Sequence, residues 1–230
     1  MSPRPVRWAI PTVAAALLVL TSACAAPAVS AEEAVALPAP ALDPADTRTS
    51  ATAILAGGCF WGVEGVFSHV RGVTRVDSGY HGGTAAEANY DAVSSGGTGH
   101  AEAVRITYDP RVVSYGTLLR IFFSVVTDPT QLNRQGPDTG TQYRNAIVPA
   151  NDNQRRVAEA YLAQLRDGRF WSRPIVTRIE TPRIFYRAEP YHLDFMERNP
   201  DHGYIRMWDA PKLANFRAMY PRLYQADWAD

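Results

Sequence analysis

A run of small, β-branched and aliphatic residues, Thr52 to Ala56, meets Gly57-Gly58 and then Cys59-Phe60-Trp61-Gly62. Beyond it Phe60, Val63, Phe67 and Val70 recur at helical spacing. The stretch therefore reads as a short buried strand, a tight turn and a helix that starts at the cysteine. Glycine suits such a turn because a side chain would obstruct anything approaching the backbone. A thiol in the first turn of a helix feels the partial positive charge of unpaired N–H groups, which favours thiolate. Phe60 and Trp61 oppose this, because an apolar wall disfavours the charged form. The expectation is a reactive but guarded nucleophile beside an aromatic pocket. The plainer alternative is a cysteine that serves as a small buried hydrophobe.

The rest of the chain supplies a frame for that turn. Val73 to Tyr80 has a strand-like run, and Ala101 to Tyr108 alternates, with Val104, Ile106 and Tyr108 on one face. Glu102 shares their parity, so its carboxyl should lose hydration and hold its proton to a higher pH than usual, as a general acid requires. Pairing with Arg105, or simple exposure, is the alternative. Ser114 can cap a helix striped by Leu118, Leu119, Ile121, Phe122, Phe123 and Val126. The aperiodic stretch from Thr127 to Gln142 suits a binding loop. Tyr143 to Val148 and Ile175 to Ile179 read as strands. Asn151 to Arg166, a short segment from Pro190 and Pro211 to Tyr220 read as helices. Strands alternating with helices imply an α/β fold, a mixed sheet covered by helices.

The 230 residues balance 23 basic against 23 acidic side chains with no basic tract, so no nucleic-acid footprint is expected. Arg4 and Arg7 precede an apolar block, Ala9 to Ala23, and a small-residue exit. Residues 1–26 therefore read as a secretory signal. Thr21-Ser22-Ala23-Cys24 also resembles a lipoprotein box, which would anchor the chain through Cys24. Residues 27–50 hold Pro27, Pro38, Pro40 and Pro44 among Ala, Glu and Asp, and read as a disordered linker. The expected location is the periplasm or another extracytoplasmic space. Cleavage beyond Cys24 would leave Cys59 as the sole thiol, with no internal partner.

Four motifs occur in one order: Gly57-Gly58-Cys59-Phe60-Trp61-Gly62, Gly79-Tyr80-His81-Gly82-Gly83, Gly99-His100-Ala101-Glu102-Ala103-Val104 and Gly140-Thr141-Gln142-Tyr143-Arg144. Together they resemble the peptide methionine sulfoxide reductase A family over about Ala53 to Pro221, which makes residues 51–230 a catalytic domain. The resemblance implies an α/β sandwich with a ferredoxin-like core, and reduction of the S epimer of methionine sulfoxide without metal or bound cofactor. It implies Cys59 as nucleophile, Glu102 as the acid for the sulfoxide oxygen, and Tyr90 and Tyr143 as hydrogen-bond donors to that oxygen. Phe60, Trp61, Asp138 and Gly58 would bind substrate, with the two aromatics walling its methyl group. Thr127 and Leu193 stand where relatives commonly have histidine and glutamine. The C-terminal cysteines that many relatives use to resolve the oxidised thiol are missing.

The residue types suit the reaction. Sulfoxide oxygen leaves poorly until protonated, which calls for a neutral carboxylic acid beside it. The resulting Cys59 sulfenic acid condenses readily with a thiol. With no internal partner, the expected reductant is a thioredoxin-like dithiol or a small thiol, acting through a mixed disulfide on a monomer. Two rival readings follow from the same residues. One is a hydrolase pairing Cys59 with His69, His81, His100, His192 or His202; the other is a non-catalytic peptide-binding module. A metal group from His81, His100, Glu102 and His192 is a further alternative.

Overall fold

The computed structural model describes Met1 and residues 33–229. The signal segment and Cys24 lie outside the described residues. The strands are β1 Ala51–Gly57, β2 Val73–His81, β3 Ala101–Tyr108, β4 Arg134–Gln135, β5 Asp138–Thr139, β6 Asn145–Val148, β7 Arg178–Ile179 and β8 Phe185–Arg187. The helices are α1 Phe60–Ser68, α2 Tyr90–Ser94, α3 Tyr115–Ile121, α4 Asp152–Gly168, α5 Phe195–Arg198 and α6 Ala210–Met219. Six strands form one sheet in the order β7-β6-β1-β3-β2-β8, while β4 and β5 pair by themselves.

The sheet is mixed: β6 and β7 run parallel and the other pairs are antiparallel. Strand β1 lies centrally between β3 and β6. The register that sets Leu55 opposite Val104 brings the start of β3 beside the end of β1, where the cysteine follows. One face of the sheet, including Leu55, Val104, Ile106 and Ile147, joins Val63 and Phe67 of α1, Leu118 of α3, Val157 and Leu162 of α4 and Phe216 of α6 in one core. The opposite face carries smaller residues, Ala56, Ala101, Ala103 and Ala146, with Ile54 and Phe185 against them.

Local chemistry sets the element ends. The Ser114 and Asn151 side chains accept from Thr117 N–H and Gln154 N–H, capping α3 and α4. Helix α4 ends on Gly168, and the left-handed residue after it is Arg169. Tyr143 falls in a 3₁₀ turn, Thr141–Tyr143, rather than in a strand, because its N–H bonds to the Gly140 carbonyl; pairing with β1 begins at Asn145. The expected strand from Ile175 shortens to β7 because Val176 N–H is taken by the Pro129 carbonyl of the long loop.

The disordered linker expected over residues 27–50 does not hold for its described part. Residues 33–50 form neither helix nor strand, yet they lie against the domain as a strap. Leu37 is 2% exposed and joins the core. Its carbonyl accepts from Arg120 Nε at 2.7 Å, and the Pro38 carbonyl accepts from the Tyr161 hydroxyl at 3.0 Å. Asp43 accepts from Ser114 Oγ and from Gly116 N–H at the start of α3. Pro38, Pro40 and Pro44 lie in this strap, and the carbonyls of Leu37, Pro38 and Ala39 find donors on α3 and α4.

Candidate active site

Cys59 is the N-cap of α1, with φ −55° and ψ 124°, and is 9% exposed. Gly58 before it has φ +94°, a left-handed conformation in which a Cβ would also meet the Gln135 side chain at 2.6 Å. At Gly57, whose φ is ordinary, the constraint is the Phe122 ring, 2.6 Å from where a Cβ would sit. The double glycine thus serves one turn for two reasons.

The thiol is held well above its usual pKa. Burial is the main cause, and the carboxyl groups of Glu102, Asp209 and Asp138 add to it, against a hydrogen bond from the Trp61 backbone. The helix N-terminus was expected to favour thiolate; in the resting site burial and the ring of acids outweigh it.

Glu102, 2% exposed, accepts from Phe60 N–H through Oε2 at 3.0 Å. Burial pushes its carboxyl up to about 8, with Asp138 and Asp209 adding to the shift and the Phe60 bond opposing it. It is therefore a neutral acid near pH 7, held against the turn that carries the thiol. Arg105, its alternative partner, pairs with Asp77 on the other face at 2.9 Å.

Tyr90 begins α2, and its N–H donates to Glu189 Oε1 at 2.9 Å. Burial raises both the Tyr90 and Tyr143 phenols, and the nearby charges of Glu102 and Cys59 raise them further. Neither hydroxyl bonds to another described residue, which leaves both able to donate to a bound oxygen. Trp61 stacks on Phe195 at 3.8 Å between centroids, with Tyr204 and His202 meeting its ring edge-on. Its indole N–H donates to His192 Nδ1 at 3.2 Å. An apolar wall with little rotational freedom results, with Phe60 and Tyr90 closing it through His192 at 5.1 and 4.3 Å.

Asp138, in β5, accepts from the Tyr204 hydroxyl. The loop that carries it is tied to the sheet by Thr127, whose hydroxyl donates to Gln135 and accepts from Asn145. The structure thus gathers every residue expected from the sequence around one thiol: Gly58, Phe60, Trp61, Tyr90, Glu102, Asp138 and Tyr143. It also adds Tyr204, Asp209 and Lys212, and gives His192 a part as partner of Trp61. Lys212 falls in the helix expected from Pro211, but nothing in the sequence around Tyr204, Asp209 or Lys212 points toward Cys59.

Four imidazoles hydrogen-bond to other groups, and His202 packs on Trp61 and Phe195. His69 bonds to the Gly65 carbonyl, His81 accepts from Arg183 N–H, His100 bonds to Gly83 and Thr84, and His192 holds Trp61. Among the described residues no imidazole is hydrogen-bonded to Cys59, which removes the geometry a Cys-His hydrolase needs. Nor do His81, His100, Glu102 and His192 form a metal-ligating group among the described residues.

The family model described as peptide methionine sulfoxide reductase matches residues 51–223. Peptide methionine sulfoxide reductase MsrA 2 of Mesorhizobium japonicum is 55% identical over 175 residues, covering 76% of this chain and 90% of that protein. The protein of the same name from Synechocystis sp. is 52% identical over 188 residues, 80% of this chain and 88% of that one. Among solved structures, reduced Mxr1 from Saccharomyces cerevisiae superposes with a TM-score of 0.58 at 31% identity, covering 70% of this chain and 92% of its own. Methionine sulfoxide reductase A of Corynebacterium diphtheriae gives 0.56 at 29% identity, covering 74% and 89%.

Proposed function

We propose, from the premise that this chain belongs to the peptide methionine sulfoxide reductase A family, that Cys59 and Glu102 divide the oxygen transfer between them. The enzyme reduces methionine sulfoxide to methionine. The sulfoxide enters with its methyl group against Phe60 and Trp61 and its oxygen toward Glu102, Tyr90 and Tyr143. Cys59 sulfur attacks the sulfoxide sulfur as Glu102 protonates the oxygen, and the two phenols hold the developing charge. The sulfur–sulfur bond so formed and the sulfoxide sulfur–oxygen bond then break as the hydroxyl group passes to Cys59. Methionine and Cys59 sulfenic acid result, and the thiol proton replaces the one Glu102 gave. The sulfoxide sulfur gains two electrons and Cys59 sulfur loses two.

The observation that carries this assignment is the Phe60 N–H bond to Glu102 Oε2 at 3.0 Å. It holds the acid beside the nucleophile without neutralising it, and burial keeps the acid protonated near pH 7. Asp138 with Tyr204 at the rim suits the backbone of a bound peptide. Substrate mixed with enzyme in the absence of thiol should release one methionine per chain and leave a sulfenic acid trappable by dimedone. A chain that releases methionine without such an adduct would contradict the assignment.

Recycling falls to an external reductant, a thioredoxin-like dithiol or a small thiol, on a monomeric enzyme. Among the described residues Cys59 is the only free cysteine. Its thiolate partner attacks the sulfenic acid, water leaves, and a second thiol displaces Cys59 from the mixed disulfide. The basic, apolar and small-residue leader supports export, with lipid attachment at Cys24 as the variant form and oxidised exported proteins as substrates. The intact mass of the exported protein tests this: an N-terminus at Met1 would contradict it.

A further inference from the structure

Lys212 is the only lysine in the 230-residue chain; the other basic positions among its 23 lysines and arginines are all arginine. That one lysine lies 7% exposed in α6, lining a small cavity together with Cys59, Asp138, Tyr204 and Trp208. A guanidinium is planar and forked, whereas an ammonium is a compact point charge on a flexible stem, so the two are not equivalent in a confined space.

Its seat is equally unusual. Asp209, one turn earlier, is fully buried, and neither carboxylate oxygen has a hydrogen-bond partner among the described residues. Its nearest ionic partner is Lys212 Nζ, 3.8 Å from Oδ1. The same oxygen presses on the first turn of α1: a Cβ at Gly62 would come within 2.0 Å of it. Burial pushes the Asp209 carboxyl up to about 7 and the Lys212 ammonium opposes that shift, so each group favours the charged form of the other. The Lys212 charge shares its cavity with one acid, Asp138, whose carboxyl is raised by burial and held down in part by that ammonium.

The first half-reaction brings in a neutral sulfoxide and has no need of a cation. The second brings in a thiolate, whose loss of hydration in so small and buried a cavity is costly unless a cation meets it. We propose that Lys212, positioned by Asp209, is the cationic contact that admits the reductant's thiolate to oxidised Cys59. This rests on the recycling by an external thiol set out above. The incoming sulfur forms a bond to Cys59 sulfur and the sulfur–oxygen bond breaks. The oxygen leaves as water with the proton of Glu102, which is refilled by the proton lost from the reductant thiol. Cys59 sulfur is reduced by one electron and the reductant sulfur oxidised by one. Lys212 gives up no proton.

The test separates the half-reactions. Enzyme is oxidised with one equivalent of sulfoxide, then mixed with mercaptoethanesulfonate, mercaptoethanol or cysteamine at equal thiolate concentration. The methionine released in the first mixing reports on the function itself and must appear before the second is read. In the wild type the anionic thiol should react faster than the cationic one. Lys212→Met should lower that ratio by about fivefold, the reach of one partly screened charge, and Lys212→Arg should retain part of it. An unchanged ratio, or an equal slowing of sulfenic acid formation and recycling, would overturn the proposal. Should Lys212→Met fail to fold, lysine labelled with ¹³C at Cε in the wild type gives one resonance. That resonance should shift when mercaptoethanesulfonate is added to the oxidised enzyme, and no shift overturns the proposal too.

Discussion

Glu102 Oε2 lies 3.0 Å from the backbone nitrogen of Phe60, the residue directly after the nucleophile. One carboxyl oxygen is thereby fixed to the turn that carries Cys59, so acid and thiol move as a unit. Glu102→Gln keeps the shape but cannot give up a proton at any useful pH. Methionine release in a single turnover should slow by about 10²–10⁴, the usual reach of general acid catalysis. A loss of less than a few-fold would return Glu102 to a structural role. In the wild type the same step should weaken as pH rises through about 8, where burial places the ionisation of this carboxyl.

Stability should follow the same group. Burial raises Glu102 from 4.5 to about 8. Glu64, which accepts from Ser78 and Asp194 N–H groups, also rises to about 8 through burial. Between those limits the folded chain binds more protons than the unfolded one, so stability falls as pH rises from about 4.5 toward 8. Asp209 rises as well, to about 7, and Glu102→Gln removes one of these contributions. Denaturant midpoints measured at pH 5 and pH 8.5 should differ less in that variant than in the wild type; an equal or larger difference would contradict the assigned burial.

Gly62→Ala tests the contact between α1 and Asp209. Alanine is worth up to about 1 kcal/mol over glycine in a helix, but its Cβ would stand 2.0 Å from Asp209 Oδ1. Overpacking of this kind costs about 1–3 kcal/mol, so the steric effect should win. The variant should melt earlier and lose turnover, because the turn holding Cys59 moves with the helix. A more stable Gly62→Ala protein would show that the Asp209 carboxylate is not lodged there.

Much of this arrangement was legible in the residues themselves. The strand, double glycine and helix around Cys59 follow from period and backbone chemistry, and the parity of Glu102 with Val104 and Ile106 placed its carboxyl inward. Tyr204, Asp209 and Lys212 are not legible, because they reach the thiol through the packing of α6 and the segment before it on α1, a contact between stretches about 150 residues apart that no local pattern encodes. Tyr143 was assigned to a strand for its β-forming neighbours, whereas the Gly140 carbonyl captures its N–H in a turn. Composition alone does not reveal the strap: prolines among Ala, Glu and Asp suit a free spacer, but the same chain lies against the domain once Leu37 has a core to enter.

Leu37→Ala measures what that strap is worth. Its side chain is 2% exposed within the main core, and leucine-to-alanine changes at such positions cost about 2–5 kcal/mol. Chemical denaturation should show a loss in that range, with the catalytic residues untouched. A change within about 0.5 kcal/mol, as for ordinary surface positions, would mean that residues 33–50 are detached in solution.

The most direct test of the account is a turnover assay on the purified chain with the S epimer of a methionine sulfoxide peptide and excess dithiothreitol. The wild type should form methionine catalytically, the R epimer should remain intact, and Cys59→Ser should form none. Absence of methionine from the wild type, or appreciable turnover by Cys59→Ser, would contradict the assignment of Cys59 as the atom that receives the oxygen.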